Sequence, residues 1–247
     1  MDEDGYFGAA IATGYDDPDD PMNQAGAIDP VVDVLEALAA SGRVLEFAIG
    51  TGRIGLPLRR RGVDVHGIEL SKAMLQHLRS KEGGADIPVI VGDMTTARAE
   101  GTFRLVYLVY NTIMNVVTQQ GQVAVFRNAA AHLEPGGAFV IEVGVPDLQL
   151  LPFGETHRVF DFGERHIGID EYDVVSQGLV SHHFDIRNGR ITSSSGPFRY
   201  VWPSELDLMA DMAGLRLRER WADWNREPFT RLSHKHVSIW EKPSAQT

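Results

Sequence analysis

The stretch Val44-Leu45-Glu46-Phe47-Ala48-Ile49-Gly50-Thr51-Gly52-Arg53-Ile54-Gly55 decides the fold of this chain. Its apolar first half is typical of a buried parallel strand, and Gly50 and Gly52 allow a tight turn with close approach to a ligand. A helical pattern begins at Ile54. The order of strand, glycine loop and helix therefore predicts a nucleotide-cofactor site at the start of an α/β sheet.

Glu46 stands just before this loop and indicates which ligand binds there. A carboxylate at the mouth of the loop would repel a pyrophosphate, but it would attract the cationic amino group of a methionine moiety. The G-x-G-x-x-G spacing from Gly50 to Gly55, with Glu69 downstream, also matches the dinucleotide fingerprint. Because that motif alone is weak, Glu46 favours S-adenosylmethionine over NAD.

The composition of the 247 residues restricts the class of partner. Lys and Arg total 23 against 34 Asp and Glu, and the formal net charge of -11 disfavours nucleic acid or an anionic membrane. The absence of cysteine excludes disulfides, thiolate metal sites and thiol catalysis. No export signal or apolar run of spanning length is recognisable, so we expect a cytoplasmic protein that binds a small molecule.

The first part of the chain predicts an irregular arm followed by an alternating α/β pattern. Residues 1–28 are rich in Asp, Gly and Pro, and the first helix is expected to begin with Asp29 as cap and Pro30 at its first position. Strands and helices then alternate through residues 44–143, including a helix capped by Ser71. Right-handed crossovers make this a doubly wound, mostly parallel sheet.

The pattern changes after Pro146. Residues 156–201 alternate apolar and polar, and Asn188-Gly189 is typical of a type I′ hairpin turn, which predicts an antiparallel β lid inserted after strand five. The predicted division is an arm and first helix (1–42), a cofactor-binding core (43–145), the lid (146–201), and a C-terminal helix with the last two core strands (202–247).

Two more acids are predicted at the carboxyl ends of strands. Glu69 ends strand two, where its carboxylate can accept both ribose hydroxyls, and Asp93 ends strand three, where it can accept from the adenine amino group. Leu70 and Met94 directly follow these acids. We expect their side chains to sandwich the adenine ring.

With these residues in place, the chain resembles the class I S-adenosylmethionine-dependent methyltransferases. Their strand-one motif reads acid-x-G-x-G-x-G, strand two ends in a ribose-binding acid, and an acid after strand three contacts adenine. Ala48 stands where the first glycine of that motif is expected. The resemblance covers about residues 10–145, and it implies a Rossmann-like core and S-adenosylhomocysteine as a product. The matching positions are Glu46, Gly50, Gly52, Glu69 and Asp93.

The arm and the lid are similar to those of small-molecule N- and O-methyltransferases, including enzymes that methylate amino sugars. Such enzymes place a tyrosine over the sulfonium, which implies that role for Tyr15, with simple packing of the arm as the alternative. Tyr110 and Asn111 end strand four beneath the transferred methyl, although Asn111 also suits a cap or turn. Arg53 can pair either with the cofactor carboxylate or with a surface acid.

No side chain stands out as a nucleophile or metal ligand. His182 and His183 are adjacent on a predicted strand and face opposite sides, so they cannot chelate one metal, and we expect no metal site. The catalytic candidates are Tyr15, Asn111 and His182, the last as a general base or merely a surface histidine.

The absence of a clear nucleophile suits direct in-line transfer of a methyl group to nitrogen or oxygen of a small-molecule acceptor. A homodimer is an open expectation. Two other functions also remain open, an NAD(P)-dependent oxidoreductase and a non-catalytic cofactor-binding regulator.

Overall fold

The computed structural model describes residues 6–187 and 189–244. The strands in these residues are β1 Val44–Phe47, β2 Val65–Glu69, β3 Val89–Val91, β4 Phe103–Leu108, β5 Leu133–Gly144, β6 His157–Phe162, β7 His166–Asp173, β8 Gly178–Arg187, β9 Arg190–Arg199, β10 Arg216–Trp221 and β11 Lys235–Glu241. The α-helices are α1 Ala9–Ala12, α2 Ala25–Ala39, α3 Gly55–Arg60, α4 Lys72–Ser80, α5 Gln119–His132 and α6 Pro203–Met212.

Seven strands form the main sheet in the order β10-β11-β5-β4-β1-β2-β3. The pairs among β1 to β5 are parallel, whereas β11 runs antiparallel to β5 and to β10. The strand order reverses between β1 and β4, and ligands of open α/β sheets bind at such a switch point. The sheet confirms the predicted doubly wound fold and places the crevice at the carboxyl ends of β1 and β4.

Both faces of the main sheet are covered by helices. One apolar cluster includes Leu35 of α2 and Leu58 of α3, and the opposite cluster includes Phe126 of α5 and Leu206 of α6. All four side chains are fully buried. Burial of each contributes roughly 1.5–3 kcal/mol, so the sheet is a rigid support for the loops at its carboxyl edge.

The predicted start of the first long helix was wrong. Helix α2 begins at Ala25 rather than after Asp29, and Pro30 lies inside it. The earlier start lets Ile28 pack against the core one turn before Val32, while proline removes only one helical hydrogen bond. The arm is also less irregular than expected, because it contains α1 and a 3₁₀ turn at Pro21–Asn23.

Two predicted element boundaries in the second half of the sheet also shift. Strand β4 ends at Leu108, because Tyr110 and Asn111 adopt left-handed φ angles of 56° and 62°. The turn that Glu134-Pro135-Gly136-Gly137 predicts before strand five lies within β5, where the pairing shifts between Leu133 and Ala138. A local bulge at glycine therefore replaces a separate turn.

The lid is a second, antiparallel sheet in the order β6-β7-β8-β9. Arg187 pairs with Arg190 at the predicted hairpin; Gly189 has a φ of 72°, and Asn188 lies outside the described residues. The inner face of the lid carries the buried Tyr172 and Ser181. The outer face carries exposed apolar residues, namely Val159, Phe162 and Ile191.

None of the helices in the described ranges has the length and apolar character needed to cross a membrane.

Candidate cofactor and acceptor site

The glycine loop after β1 is held by the acid at the end of β2. The Gly50 N–H donates to Glu69 Oε2 at 2.7 Å, and the Ser71 N–H donates to Glu69 Oε1 at 2.7 Å. Ser71 also caps α4 as predicted, since its hydroxyl accepts from the Met74 N–H. One carboxylate thus fixes the loop and the start of α4, and the ribose contact expected of Glu69 stays a prediction.

The two loop glycines do different things. Gly50 has a φ of 57°, and a Cβ there would meet only the Ala48 carbonyl oxygen at 3.8 Å. Gly52 has a φ of 82°, and its Cβ would lie 2.4 Å from Leu78 Cδ1 and 3.1 Å from Leu56. Gly52 is therefore needed for close packing of the loop on α3 and α4, and its expected approach to the cofactor stays a prediction.

Glu46 is buried at the bottom of the cleft, with 4% of its surface exposed. Its Oε2 accepts a hydrogen bond from the Tyr107 hydroxyl at 2.8 Å. Burial raises the pKa of Glu46 to about 8, although the Tyr107 bond and the Arg53 charge oppose this rise. A cation that enters the cleft would favour the ionised carboxylate.

Two tyrosines and an arginine line the same cleft. The Arg53 guanidinium carbon lies 3.6 Å from the ring centroid of Tyr110 and 5.3 Å from that of Tyr15. The Tyr110 hydroxyl is buried and has no hydrogen-bond partner among the described residues. This pair of rings accepts a cation by cation–π attraction, and Arg53 now supplies it.

The arm is pinned over the loop by contacts that the sequence did not indicate. The Thr51 hydroxyl donates to Asp16 Oδ1 at 2.6 Å, and Lys81 Nζ lies 2.8 Å from Asp16 Oδ2. Lys81 also donates to the Thr51 carbonyl at 2.7 Å. Asp16 belongs to an acidic run expected to be solvated, and no local pattern distinguishes it from its neighbours.

Asn111 bridges the ends of β4 and β5. Its Oδ1 accepts from the Gly144 N–H at 2.6 Å, and its N–H donates to the Glu142 carbonyl at 3.2 Å. This is the turn role that the sequence left open, and the expected position beneath the methyl group remains a prediction.

The residues expected at the adenine end lie at neighbouring strand ends. Leu70 is 45% exposed directly after β2, and the Gly92 N–H joins β3 to the Glu69 carbonyl at 2.8 Å. Asp93 is exposed, and its Oδ1 accepts from the Thr95 N–H at 2.7 Å. Met94 is partly buried against the α5 side of the core. Their contact with adenine remains a prediction.

An aromatic series joins the cleft to the inner face of the lid. The ring centroids of Tyr15 and Phe7 are 6.1 Å apart, and those of Phe7 and Tyr6 are 5.1 Å apart. Tyr6 then covers Gly196 of β9, where a Cβ would lie 2.4 Å from its ring. Met114, which follows Asn111, packs against the buried lid cluster that contains Tyr172. The lid therefore closes over the carboxyl end of β4.

His182 lies on the other face of the lid. Its Nδ1 is 2.8 Å from Ser195 Oγ, and its Nε2 is 3.5 Å from a Glu171 carboxylate oxygen. The register confirms that His182 and His183 face opposite sides, because they pair with Ile169 and Gly168 respectively. Within the described residues no group of three or more His, Cys, Asp or Glu side chains could hold a metal ion.

Comparisons with known proteins agree with this geometry. Residues 44–137 match the methyltransferase domain family. The CcbJ methyltransferase structure from Streptomyces caelestis is 32% identical, covers 98% of this chain and 99% of that chain, and has a TM-score of 0.85. The cypemycin N-terminal methyltransferase of Streptomyces sp is 26% identical over 204 residues, which are 81% of this chain and 82% of the relative.

The S-adenosylmethionine-bound amino pentose methyltransferase CalS10 from Micromonospora echinaspora shares the fold, with 20% identity, a TM-score of 0.66, and coverage of 87% of this chain and 89% of that chain. The chain belongs to the class I S-adenosylmethionine-dependent methyltransferases. Its cofactor is S-adenosylmethionine, and its residues suit that group. The cleft offers a buried carboxylate, Glu46, and the Tyr110 hydroxyl, which has no hydrogen-bond partner in the described part of the chain, beside a left-handed glycine loop.

Proposed function

We propose that the protein transfers a methyl group in line to a nitrogen of a small-molecule acceptor. The observation that carries this proposal is the partly buried carboxylate of Asp170 on the inner face of the lid, beside the Arg158–Asp147 pair that follows β5. A carboxylate in such a position attracts an amine in its ammonium form and orients it.

The names of two relatives support nitrogen as the acceptor atom. One is the cypemycin N-terminal methyltransferase. The other is a dTDP-3-amino-3,4,6-trideoxy-alpha-D-glucopyranose N,N-dimethyltransferase from Streptomyces venezuelae, which is 32% identical over 40% of this chain and 41% of the relative. We therefore favour a primary or secondary amine over a hydroxyl group.

We assign the cofactor contacts as follows. Glu46 faces the methionyl ammonium, and Arg53 moves from between the two tyrosine rings to the methionyl carboxylate. The rings of Tyr15 and Tyr110 then face the sulfonium, since either cation satisfies them. The remaining proposed contacts are Ala48, Gly50 and Gly52 with the methionyl backbone, Glu69 with ribose, Asp93 with the adenine amino group, Leu70 and Met94 with the faces of adenine, and Asn111 near the methyl group.

When bound, S-adenosylmethionine supplies the methyl group as an electrophile. The chain needs no nucleophile of its own, and its residues orient the acceptor and exclude water. Tyr6, Phe7 and Tyr15 form an apolar wall between the lid and the crevice. In this low-polarity space the amine loses its proton more readily, which exposes the lone pair that attacks.

The test compares matched acceptors that differ only at the amine. S-adenosylhomocysteine formation is measured with glucosamine against glucose, and with a tri-alanine peptide against its N-acetylated form. We expect turnover with an amine of the panel and none with its matched partner. Turnover only with glucose would assign the methyl group to oxygen and contradict the proposal.

We also propose that the protein acts in the cytoplasm on a diffusible acceptor, without a nucleic-acid or membrane partner. The net charge of -11 supports this, because it would repel both polyanions. The division at residues 42, 145 and 201 stands as a further proposal, supported by the separate antiparallel sheet of the lid.

A further inference from the structure

A connected row of polar side chains crosses the inner face of the lid. Asp161 Oδ2 lies 2.6 Å from His166 Nδ1, and His166 Nε2 lies 3.0 Å from His183 Nδ1. His183 Nε2 lies 3.3 Å from Ser181 Oγ. The Ser181 side chain in turn neighbours the Asp170 carboxylate, which belongs to its cross-strand partner, and it lowers the pKa of that carboxyl group. We call these five residues the lid relay.

The strand register explains why the relay is continuous. Asp170 pairs with Ser181, and Gly168 pairs with both Asp161 and His183, so these residues share the inner face. Gly168 leaves room for the Phe160 ring, which a Cβ at that position would strike at 2.2 Å. Phe160 lies against His183, with ring centroids 5.6 Å apart, and shields it from water.

The two ends of the relay have different surroundings. At the inner end, Asp170 is close to Arg158, which pairs with Asp147 just after β5. A backbone hydrogen bond from Asp147 also reaches the side chain of Tyr172, the next inner-face residue of β7. At the outer end, the Asp161 side chain is 48% exposed. The relay therefore runs from the inner face of the lid beside Asp147, just after β5, to solvent.

We propose that Asp170 accepts the proton lost by the acceptor nitrogen and that the lid relay carries it to the surface. This inference rests on the proposed function, because only an acceptor that carries a proton needs such a path. The methyl carbon leaves sulfur as it bonds to nitrogen, and the N–H proton moves to the Asp170 carboxylate. No oxidant or reductant is required.

Each later step conserves protons. Ser181 takes the proton from Asp170 as its own hydroxyl proton passes to His183 Nε2. The Nδ1–H proton of His183 moves to His166 Nε2, and the Nδ1–H proton of His166 moves to Asp161, which releases it to water. Both rings are then neutral but carry their proton on Nε2, and the relay resets when each ring returns to the Nδ1–H tautomer.

The electrostatic surroundings suit this direction. Burial lowers the pKa of His183, and the neighbouring His166 lowers it further, so the ring is neutral at pH 7. Burial raises the pKa of Asp170, and the polar Ser181 side chain and the charge of Arg158 oppose this rise. Activity that needs ionised Asp170 therefore falls as the pH drops through that raised pKa. The groups that face the relay are Asp147, Arg158, Asp161, His166, His183 and Asp185.

The first test replaces Asp170→Asn, with Glu171→Gln as its matched control. Glu171 is the next residue of β7 and faces outward with a 47% exposed side chain. With the amine that the wild-type enzyme methylates, Asp170→Asn should lower kcat by about a hundredfold and remove the acidic limb of the kcat–pH profile. Glu171→Gln should keep both within about twofold. An unchanged kcat in Asp170→Asn would overturn the proposal.

The second test breaks the relay in its middle. His166→Ala should lower kcat by about tenfold and leave the affinity for S-adenosylhomocysteine unchanged, which also shows that the variant is folded. Added imidazole should restore turnover by replacing the missing ring, as it would not for a merely structural loss. A folded His166→Ala variant that imidazole fails to rescue would overturn the relay.

The two proposals fail in different ways. Turnover with amines and an undiminished kcat in Asp170→Asn would overturn the relay but leave the proposed nitrogen methylation intact. Turnover only with hydroxyl acceptors would sink nitrogen methylation, and the same variants would still test the relay because a hydroxyl also loses a proton. If no acceptor of the panel is methylated, ¹⁵N NMR of the imidazole rings tests the relay without turnover. A slowly exchanging ring proton shared by His166 and His183 supports the relay, and its absence overturns it.

Discussion

The glycine loop of the cofactor cleft and the lid relay are held by different kinds of hydrogen bond. In the cleft, one carboxylate, Glu69, binds the backbone N–H groups of Gly50 and Ser71. In the lid, side chains bind side chains, as His166 binds His183. Backbone anchoring fixes a ligand site, whereas a row of side chains can exchange protons. The difference supports our proposal that cofactor binding and acceptor chemistry are divided between the two regions, and the substitutions below test the contacts on which it rests.

The largest effect is expected where the lid joins the core. Arg199 ends β9 with its guanidinium buried, and it donates to Gln122 of α5 and, at 2.8 Å, to Glu205 of α6. Arg199→Met should lower the free energy of unfolding by about 3–5 kcal/mol, because it leaves Glu205 charged and largely buried. Urea denaturation measures this. Arg190→Met, at the exposed start of β9, should cost less than about 0.5 kcal/mol.

The pH dependence sharpens that prediction. Burial alone would raise the pKa of Glu205, but bonds from Arg199, Gln119 and Gln177 hold it below its usual value of 4.5. Since its folded pKa is depressed, this contribution is present above pH 4.5 and is lost as the pH falls through the folded value. The stability gap between wild type and Arg199→Met should therefore narrow in acid. A gap that stays constant below pH 4 would contradict the assigned charge pair.

The second prediction concerns the anchor of the glycine loop. Glu69→Ala should weaken S-adenosylhomocysteine binding by about a hundredfold, because it removes the bonds that hold the loop together with the proposed ribose contact. Isothermal titration calorimetry measures this affinity. Glu82→Ala, at an exposed position beyond α4, is the control and should bind as wild type does. An affinity for Glu69→Ala within threefold of wild type would refute the role of the carboxylate.

The third prediction uses the buried acid of the cleft. Glu46→Gln should weaken S-adenosylhomocysteine binding by about tenfold at pH 9, where the wild-type carboxyl is ionised, and less at pH 6. The difference arises because the folded pKa is about 8. Calorimetry at both pH values tests it. An equal loss of affinity at pH 6 and pH 9 would argue against a charge interaction.

Glu46→Gln, which should weaken cofactor binding, should stabilise the fold. The pKa of Glu46 rises on folding from 4.5 to about 8, so wild-type stability is fully present below pH 4.5 and declines as the pH rises toward 8. Glutamine at this position cannot ionise, so the variant does not lose stability as the pH rises. The advantage of Glu46→Gln in free energy of unfolding should therefore grow between pH 5 and pH 8, and a constant difference would show that Glu46 is ionised throughout.

The smallest effect is expected at Ala48, where the family motif has glycine. Ala48 has a φ of 52°, which costs an L residue about 1–2 kcal/mol. Ala48→Gly should stabilise the fold by about 0.5 kcal/mol after the greater freedom of the unfolded glycine is subtracted. Ala40, with a φ of 53° away from the cleft, is the matched control. Both variants should gain stability, but only Ala48→Gly should alter cofactor affinity; equal affinities would place Ala48 outside the cofactor site.

The sequence predicted the cofactor cleft better than the lid, and the reason is physical. Glu69 and Ser71 could be placed because parallel strands end at one edge and a serine before a helix is a local signal. The Tyr107 bond to Glu46 and the Asp16 contact with Thr51 join residues distant in sequence, and no local pattern encodes them. The predicted first residue of helix α2 was too far along the chain, because the contact of Ile28 with the core outweighs the usual preference of proline for the first helical position.

In the lid, alternation predicted the antiparallel strands and the opposite faces of His182 and His183. It did not predict the relay. The bulge between Val159 and Asp161 sets which residues of β6 share the inner face, and a single-residue shift would turn Asp161 outward. Cross-strand register of this kind follows from tertiary packing. The sequence alone therefore did not identify His183 and Asp170 as candidate functional residues.

The division of labour is tested most directly by calorimetric S-adenosylhomocysteine affinity and single-turnover methyl transfer, measured together for Glu69→Ala and Asp170→Asn. We predict that Glu69→Ala loses about a hundredfold in affinity while Asp170→Asn binds as wild type does. At saturating cofactor, Asp170→Asn should be slower by about a hundredfold and Glu69→Ala by far less. If both variants lost affinity equally, or if Asp170→Asn transferred the methyl group at the wild-type rate, the cleft and the lid would not have the separate functions assigned to them.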